Sequence, residues 1–298
     1  MVFSYTNLIK LMKGNKMKCV RNVVILLVVL LFLQGCKDDG ISKERKLYYG
    51  PELYNASFIH VGNETRHIIR VMSRKDLSTY TGVRINSTGG AYNYQFTIED
   101  GEFELKEYHL YYLCLSISDV EFEGDQIDIE SIELLFEDDN ADTLYLDKCK
   151  LVKGEENLNQ DYVHINGCPL TMPSGMNTLP LELSAEKKVT VTNVYLTNDE
   201  MRLTLFPNEE GERVSKFCEF VVPAAGNIIT WIPIMEVGSG KSDTEGIDAY
   251  KSYGTSIVVE YSFDGRTYYC IPGVNSTIYN AFGTTAESIE TYFEYLGI

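Results

Sequence analysis

The chain has 298 residues and a formal net charge of −17, with 43 acidic side chains against 26 basic ones. That balance repels nucleic acid and anionic lipid surfaces, and it excludes both as partners of the folded part. Plentiful tyrosine (21) and phenylalanine (13), with few prolines (8) and a single tryptophan, favour strands over helices.

The first element is an unbroken apolar run, Val23 to Leu33. Lys10, Lys13, Lys16, Lys18 and Arg21 precede it with no acidic residue among them, and Gln34-Gly35-Cys36 closes it before the polar Lys37-Asp38-Asp39. The run suits the apolar region of an export signal and falls short of the roughly 20 residues a spanning helix needs. A compact signal is already complete from Met17-Lys18 onward. Leu33-Gln34-Gly35-Cys36 resembles the lipobox of bacterial lipoproteins, although Gln34 stands where the family has a small residue. The resemblance implies cleavage before Cys36, lipidation of that cysteine, and a membrane partner engaged through the anchor. Lys37-Asp38-Asp39 resembles the acidic export tag of surface lipoproteins in Bacteroidetes-type bacteria, which points to the outer membrane and outward display. The expected organisation is a signal over 1–35 and an acylated tether over 36–47. Two β-sandwich domains follow, over 48–153 and 158–298, the second with a C-terminal helix.

Strand signals begin at Tyr48. His67 to Met72 and Tyr94 to Ile98 read as short strands around a polar segment, and Leu113, Leu115 and Ile117 alternate with Cys114, Ser116 and Ser118, the period of a half-buried strand. Ile127-x-Ile129-x-x-Ile132-x-Leu134 then recurs as Val189-x-Val191-x-x-Val194-x-Leu196, each copy flanked by alternating strands. The extra residue inside the pattern reverses which face is apolar, as a β-bulge or a strand changing sheets does. The repeat suggests two related sandwiches in tandem, with a boundary near Lys153-Gly154-Glu155-Glu156-Asn157. Further on, Asp264-Gly265 between two apolar runs predicts a tight hairpin. Thr284-x-x-Glu287 predicts a capping box for a helix over 285–296, with Ile289, Tyr292, Phe293 and Leu296 on one stripe.

Cys218, Trp231 and Tyr268-Tyr269-Cys270 stand in an order that resembles the immunoglobulin domain. That resemblance implies an all-β, immunoglobulin-like sandwich in which Cys218 and Cys270 form the inter-sheet disulfide and Trp231 packs on it. With Cys36 lipidated, five cysteines remain in the mature chain, so at least one stays a thiol.

Chemistry-bearing motifs are few. Gly240-Lys241-Ser242 lacks the first glycine of a phosphate loop. Asp138-x-Asn140-x-Asp142 has the opening spacing of a calcium loop, but Thr143 and Cys149 stand where Gly and Glu are required. An acidic hairpin turn is the expectation there. His60, His67, His109 and His164 show no nucleophile or metal partner at a working spacing, so no catalytic residue, metal or cofactor is assigned. Asn-x-Ser/Thr sequons, at Asn55 among others, are set aside for a bacterial lipoprotein.

Two Tyr/Ser/Gly/Asn-rich stretches, 78–94 and 238–255, have the composition of binding loops. They make Tyr80, Tyr92, Tyr94, Tyr250 and Tyr253 the candidate contacts for a glycan or protein ligand. The expected function is non-enzymatic recognition or scaffolding at the cell envelope. A glycan hydrolase using a carboxylate pair and a structural subunit of an envelope assembly are the alternatives.

Overall fold

The computed structural model describes residues 46–298 except 63, 138–139, 159–160, 169–170, 173–176, 226, 238–245, 273–275 and 280–284. Cys36, its leader and the 240–242 loop lie outside the described residues.

Alternating apolar residues build a first sandwich. One sheet runs in the order β1 (Tyr48–Tyr49), β3 (Thr65–Ser73), β6 (Tyr108–Phe122), β5 (Gly90–Leu105). The facing sheet orders β11 (Thr171–Met172), β22 (Ser276–Tyr279), β19 (Ser252–Thr255), β2 (Tyr54–His60), β9 (Lys148–Lys153), β7 (Gln126–Phe136) and β4 (Tyr80–Thr88), with β8 (Ala141–Tyr145) also paired to β7. Leu113, Leu115 and Ile117 of β6 meet Ile127, Ile129, Ile132 and Leu134 of β7 in one buried core.

The repeated pattern marks bulges, and they act differently from the sequence expectation. On β7 the register against β4 steps from Ile129 to Ser131, leaving Glu130 as the extra residue. On β13 (Val189–Leu196) it steps from Val191 to Asn193 against β20 (Ile257–Phe263), leaving Thr192 extra. The bulge absorbs the added residue, so Ile127, Ile129, Ile132 and Leu134 share one core instead of switching faces. At the same bulge β7 changes neighbour, from β9 before it to β8 after it.

A second core draws on residues 163–270. Its sheets are β10 (Val163–Gly167), β12 (Leu181–Ala185) and β17 (Ile229–Trp231) on one side, and β16 (Phe220–Val222), β13, β20 and β21 (Arg266–Cys270) on the other. A small third sheet joins β15 (Arg213–Val214), β14 (Met201–Pro207) and β18 (Ile234–Val237). The hairpin between β20 and β21 turns on Asp264 (φ 49°) and Gly265 (φ 73°), the paired positive dihedrals a two-residue turn demands. The fold class is therefore all-β, two immunoglobulin-like sandwiches in tandem with one short C-terminal helix.

The buried residues of the first core come from 54–151 and those of the second from 163–270, whereas one sheet draws on both halves. β19 and β22 come from the second half of the chain, yet β19 pairs in parallel with β2 of the first sandwich. Gly254 of β19 makes this approach possible, because a Cβ there would sit 2.5 Å from the Phe58 ring and 2.9 Å from the Ala56 methyl. β2 is buried along its whole length. Tyr54, Ala56 and Phe58 face the first core, and Asn55, Ser57 and Ile59 alternate with them on the opposite face.

That opposite face carries a buried polar clasp. Asn198 donates from Nδ2 to the Asn55 carbonyl (3.2 Å), Asn55 Oδ1 (2.9 Å) and the Gly254 carbonyl (3.0 Å), while its Oδ1 accepts from Glu200 N–H (3.0 Å). Thr197 Oγ1 donates to the Ser57 carbonyl and accepts from Ser256 N–H, and Ser256 Oγ accepts from Ile59 N–H at 2.8 Å. Lys148 of β9 reaches Asp199 (2.8 Å) and Glu200 (3.3 Å) above it. Sharing a buried donor among several carbonyls satisfies polar groups whose isolation would cost about 1–3 kcal/mol each.

The closing helix α1 (Ala286–Leu296) starts one residue later than the pattern suggested. Thr285 is the N-cap, Ser288 N–H donates to its hydroxyl (3.1 Å) and Thr285 N–H donates to Ser288 Oγ (3.0 Å). Ile289, Tyr292 and Phe293 are buried against Tyr49, Leu53, Tyr108 and Leu110 from the first half of the chain. Burying each such side chain stabilises by about 1.5–3 kcal/mol, which holds a helix too short to persist alone.

Candidate functional site

Tyr80, Tyr92 and Tyr94 lie in strands, not in the loop expected from their composition. β4 is the edge of one sheet and β5 the edge of the other, on the same side of the first sandwich. The chain crosses between the sheets at Gly89 (φ 90°) and Gly90 (φ 156°), where an added Cβ would collide with the Gln126 and Glu121 carbonyl oxygens. Tyr80, Tyr92 and Tyr94 lie along that side, with Tyr80 and Tyr92 packed against the first core and the Tyr92 hydroxyl buried. Tyr80 packs edge-on to Phe96 at 5.8 Å, Tyr92 lies 6.2 Å from Tyr94, and Tyr94 donates its hydroxyl to the Val83 carbonyl across the gap (3.2 Å). Tyr80 and Tyr92 are half-buried, and Tyr94 is 38% exposed.

Tyr250 and Tyr253 do not belong with them. Tyr250 is buried beneath α1, its ring 4.9 Å from Tyr292. Tyr253 is buried in the second core. Both are packing residues, which removes them as ligand contacts.

The expected disulfide is absent as well. Cys218 is an exposed free thiol, whereas Cys270 is a buried one whose Sγ lies 3.1 Å from the Val163 carbonyl. Burial pushes the Cys270 thiol up to about 12. Trp231 packs among Phe206 (5.9 Å), Phe217 (5.7 Å) and Phe220 (5.4 Å) in place of a bridge. Three phenyl rings supply the apolar contact that a disulfide supplies in immunoglobulin domains.

The four histidines divide by environment. His164 and His109 are exposed. His67 is fully buried, with Nδ1 2.9 Å from the Tyr54 hydroxyl, Cys149 Sγ at 3.6 Å and the Phe58 ring at 5.1 Å. Its Nε2 has no hydrogen-bond partner among the described residues, and burial lowers its pKa to about 3. Asp142 is tied to Lys75 (2.8 Å) and the Tyr48 hydroxyl (2.5 Å), the engaged carboxylate of an acidic hairpin. Among the described residues, no three His, Cys, Asp or Glu side chains converge closely enough to hold a metal ion.

Sequence reasoning missed a cleft of about 540 Å³ at one end of the first sandwich. His60 closes β2, Lys153 closes β9, and the two residues are register partners in the parallel pair. Asp119 and Glu121 end β6, and Glu155 follows β9. Asp119 takes a positive φ of 45° beside the β5–β6 bulge and accepts a hydrogen bond from Asn93 (3.1 Å). Burial lowers the pKa of His60, and the Asp119 carboxylate opposes that in part. The only signal in the chain was Lys153-Gly154-Glu155, which reads as a boundary.

No protein-family profile matches the chain, and no curated protein matches it. Among solved structures it is similar to CBD12 from CALX1.2 (13% identity, 74% of this chain and 83% of that one, TM-score 0.22). It is similar also to the D00-D0 domain of intimin (9%, 78% and 99%, 0.23). A third is the sialic acid binding region of a Streptococcus sanguinis SK1 adhesin bound to 3'sLn (10%, 78% and 76%, 0.21). At such scores the likenesses carry no argument, and the fold class stands on the sheets described above. Among the described residues no helix is long and apolar enough to cross a membrane.

Proposed function

We propose that the protein is a lipid-anchored, non-enzymatic binding or scaffolding module of the cell envelope. In this reading Cys36 carries the acyl chains in the outer membrane, the fold faces outward, and the ligand is a glycan or a protein. The tether over 37–47 would let the fold stand up to roughly 35 Å from the bilayer.

The observation that carries the reading is the aromatic strip of Tyr80, Tyr92 and Tyr94 between two edge strands. Tyrosine offers a rigid apolar face and a hydroxyl at low entropic cost, and free strand edges offer main-chain donors and acceptors beside it. Three measurements test this. Mass spectrometry of the mature protein should find an acylated Cys36 at the amino end, and protease shaving of intact cells should release the fold. A glycan and envelope-protein panel should give a ligand whose binding falls ~10-fold in Tyr94→Ala. Turnover of any glycan on that panel would overturn the non-enzymatic reading.

A further inference from the structure

The two edges that flank the aromatic strip differ. An edge strand invites pairing with a second chain, and folds guard such edges by shortness, bulges, proline or lysine. Most edges of this fold are guarded. β1, β11 and β15 have two residues each, β16 and β17 three, β18 four, and β8, β10 and β21 five. β4 is longer, but register shifts on either side leave only Gly82 to Asn86 in unbroken succession. β5 is the exception. Asn93 to Asp100 pair one by one with Ser118 back to Tyr111, an eight-residue run with irregularities only beyond its ends. The strand contains no proline, lysine or arginine. We propose that this run accepts an extended, basic segment of a partner protein as an added strand. The inference rests on the reading above that this side of the first sandwich binds, and it commits that side to protein.

The outer edge of the run is open. Among the described residues, the backbone of Asn93 to Asp100 bonds only to β6. The 3-10 turn Leu77–Thr79 approaches β5 without a backbone bond to it, and Asn93, Tyr94, Gln95, Thr97, Glu99 and Asp100 are exposed. A strand laid along this edge alternates its side chains between the two sides of the sheet. One set lies beside Tyr94, Phe96 and Ile98 at the rim of the first core, and the other beside Gln95, Thr97 and Glu99. Main-chain bonds then supply affinity, and alternate apolar and polar side chains supply specificity.

Charge selects the partner. β5 carries Glu99, Asp100, Glu102 and Glu104 with no cation among them. Asp100 and Glu102 have no ion pair among the described residues. Glu99 meets Arg66 only at 3.7 Å, with both side chains more than half exposed. A second copy of the chain would bring four more carboxylates to this edge, whereas a lysine-bearing strand meets them with opposite charge.

The probe is a capped octapeptide of alternating lysine and valine, titrated by calorimetry at low salt into the full-length protein. It should bind, and its glutamate–valine counterpart should bind at least ~10-fold more weakly. The fully N-methylated lysine–valine peptide keeps charges and side chains but lacks main-chain donors, and it should also bind ~10-fold more weakly. Hydrogen exchange read by mass spectrometry should slow at about half of the amides from Asn93 to Asp100, those that point away from β6. Glu99→Gln, Asp100→Asn, Glu102→Gln and Glu104→Gln together should weaken binding ~10-fold, with circular dichroism verifying the fold.

The proposal falls if the lysine–valine peptide does not bind, or if its charge-reversed counterpart binds as well. It falls if the N-methylated form binds alike, because charge alone then holds the peptide, or if exchange slows elsewhere than on β5. Sedimentation that finds a dimer with β5 amides already protected would assign the edge to a second copy and overturn it too. A glycan whose binding depends on Tyr94, found where no peptide binds, would remove this inference and leave the aromatic strip standing. Absence of both would remove both.

Discussion

His67 makes acid stability a direct test of the first core. Its imidazole is fully buried, held at Nδ1 by Tyr54 and covered by Phe58, with no acceptor waiting for a second ring proton. Burial therefore lowers its pKa from 6.5 to about 3. Between those values the unfolded chain carries a proton at this position that the folded chain refuses, so the unfolded state binds more protons and stability falls as pH falls. The loss begins near pH 6.5 and is complete near pH 3. Integrated, it amounts to about 2 kcal/mol by pH 5 and about 3 kcal/mol by pH 4. Urea unfolding at pH 7 and pH 5, followed by circular dichroism, measures the total drop. In His67→Phe the drop should shrink by about 2 kcal/mol, whatever the substitution costs at pH 7, because that cost enters both pH values. Carboxylates and His60 titrate in both proteins and cancel. An unchanged drop in His67→Phe would refute the reasoning, since it would mean that the ring accepts its proton in the folded state.

Two further outcomes follow from the packing. Asn198→Ala removes the donor shared by Asn55 and Gly254 and should cost roughly 2–4 kcal/mol. Asn198→Asp should cost more, because it sets a carboxylate against three oxygen acceptors. In either variant Trp231 fluorescence, which reports the second sandwich, should unfold at a different urea concentration from the circular dichroism signal, whereas in the parent chain the two should coincide. Thiol labelling under native conditions should modify Cys218 at once and Cys149 and Cys270 only after unfolding, since burial raises both of the latter thiols. A peptide linking Cys218 to Cys270 in a non-reducing digest would contradict the structure.

What the sequence conveyed was periodicity, and what it concealed was long-range placement. Alternation at Leu113, Leu115 and Ile117, the inserted residue in both repeats, and Asp264-Gly265 are local signals with local causes, and each appears in the fold. The helix register slipped by one because Ser288 and Glu287 can both answer a threonine cap, and the shorter hydroxyl closes the box. Composition misled over 78–94. Tyrosine, serine and asparagine suit an edge strand with one wet face as well as they suit a loop. Tyr250 and Tyr253 misled for a different reason: their burial depends on α1 and on the second core, which no local window displays. Asn55, Ser57, Asn198 and Ser256 look like surface residues one by one. They are buried because residues distant in sequence meet there, Asn198 against Asn55 and Ser256 against Ile59.

The strand β2 shows why the site was harder to read than the fold. Its even residues fill one core, its odd residues form the clasp, and its last residue, His60, lines the cleft beside its register partner Lys153. A one-residue slip of β2 against β9 would turn Tyr54 and Phe58 toward the clasp and Asn55 and Ser57 into the apolar core. The same slip would part His60 from Lys153. Core packing thus enforces the one register in which the cleft residues meet, although they come from separate stretches of chain. Glu121 and Glu155 add no pairing energy of their own among the described residues.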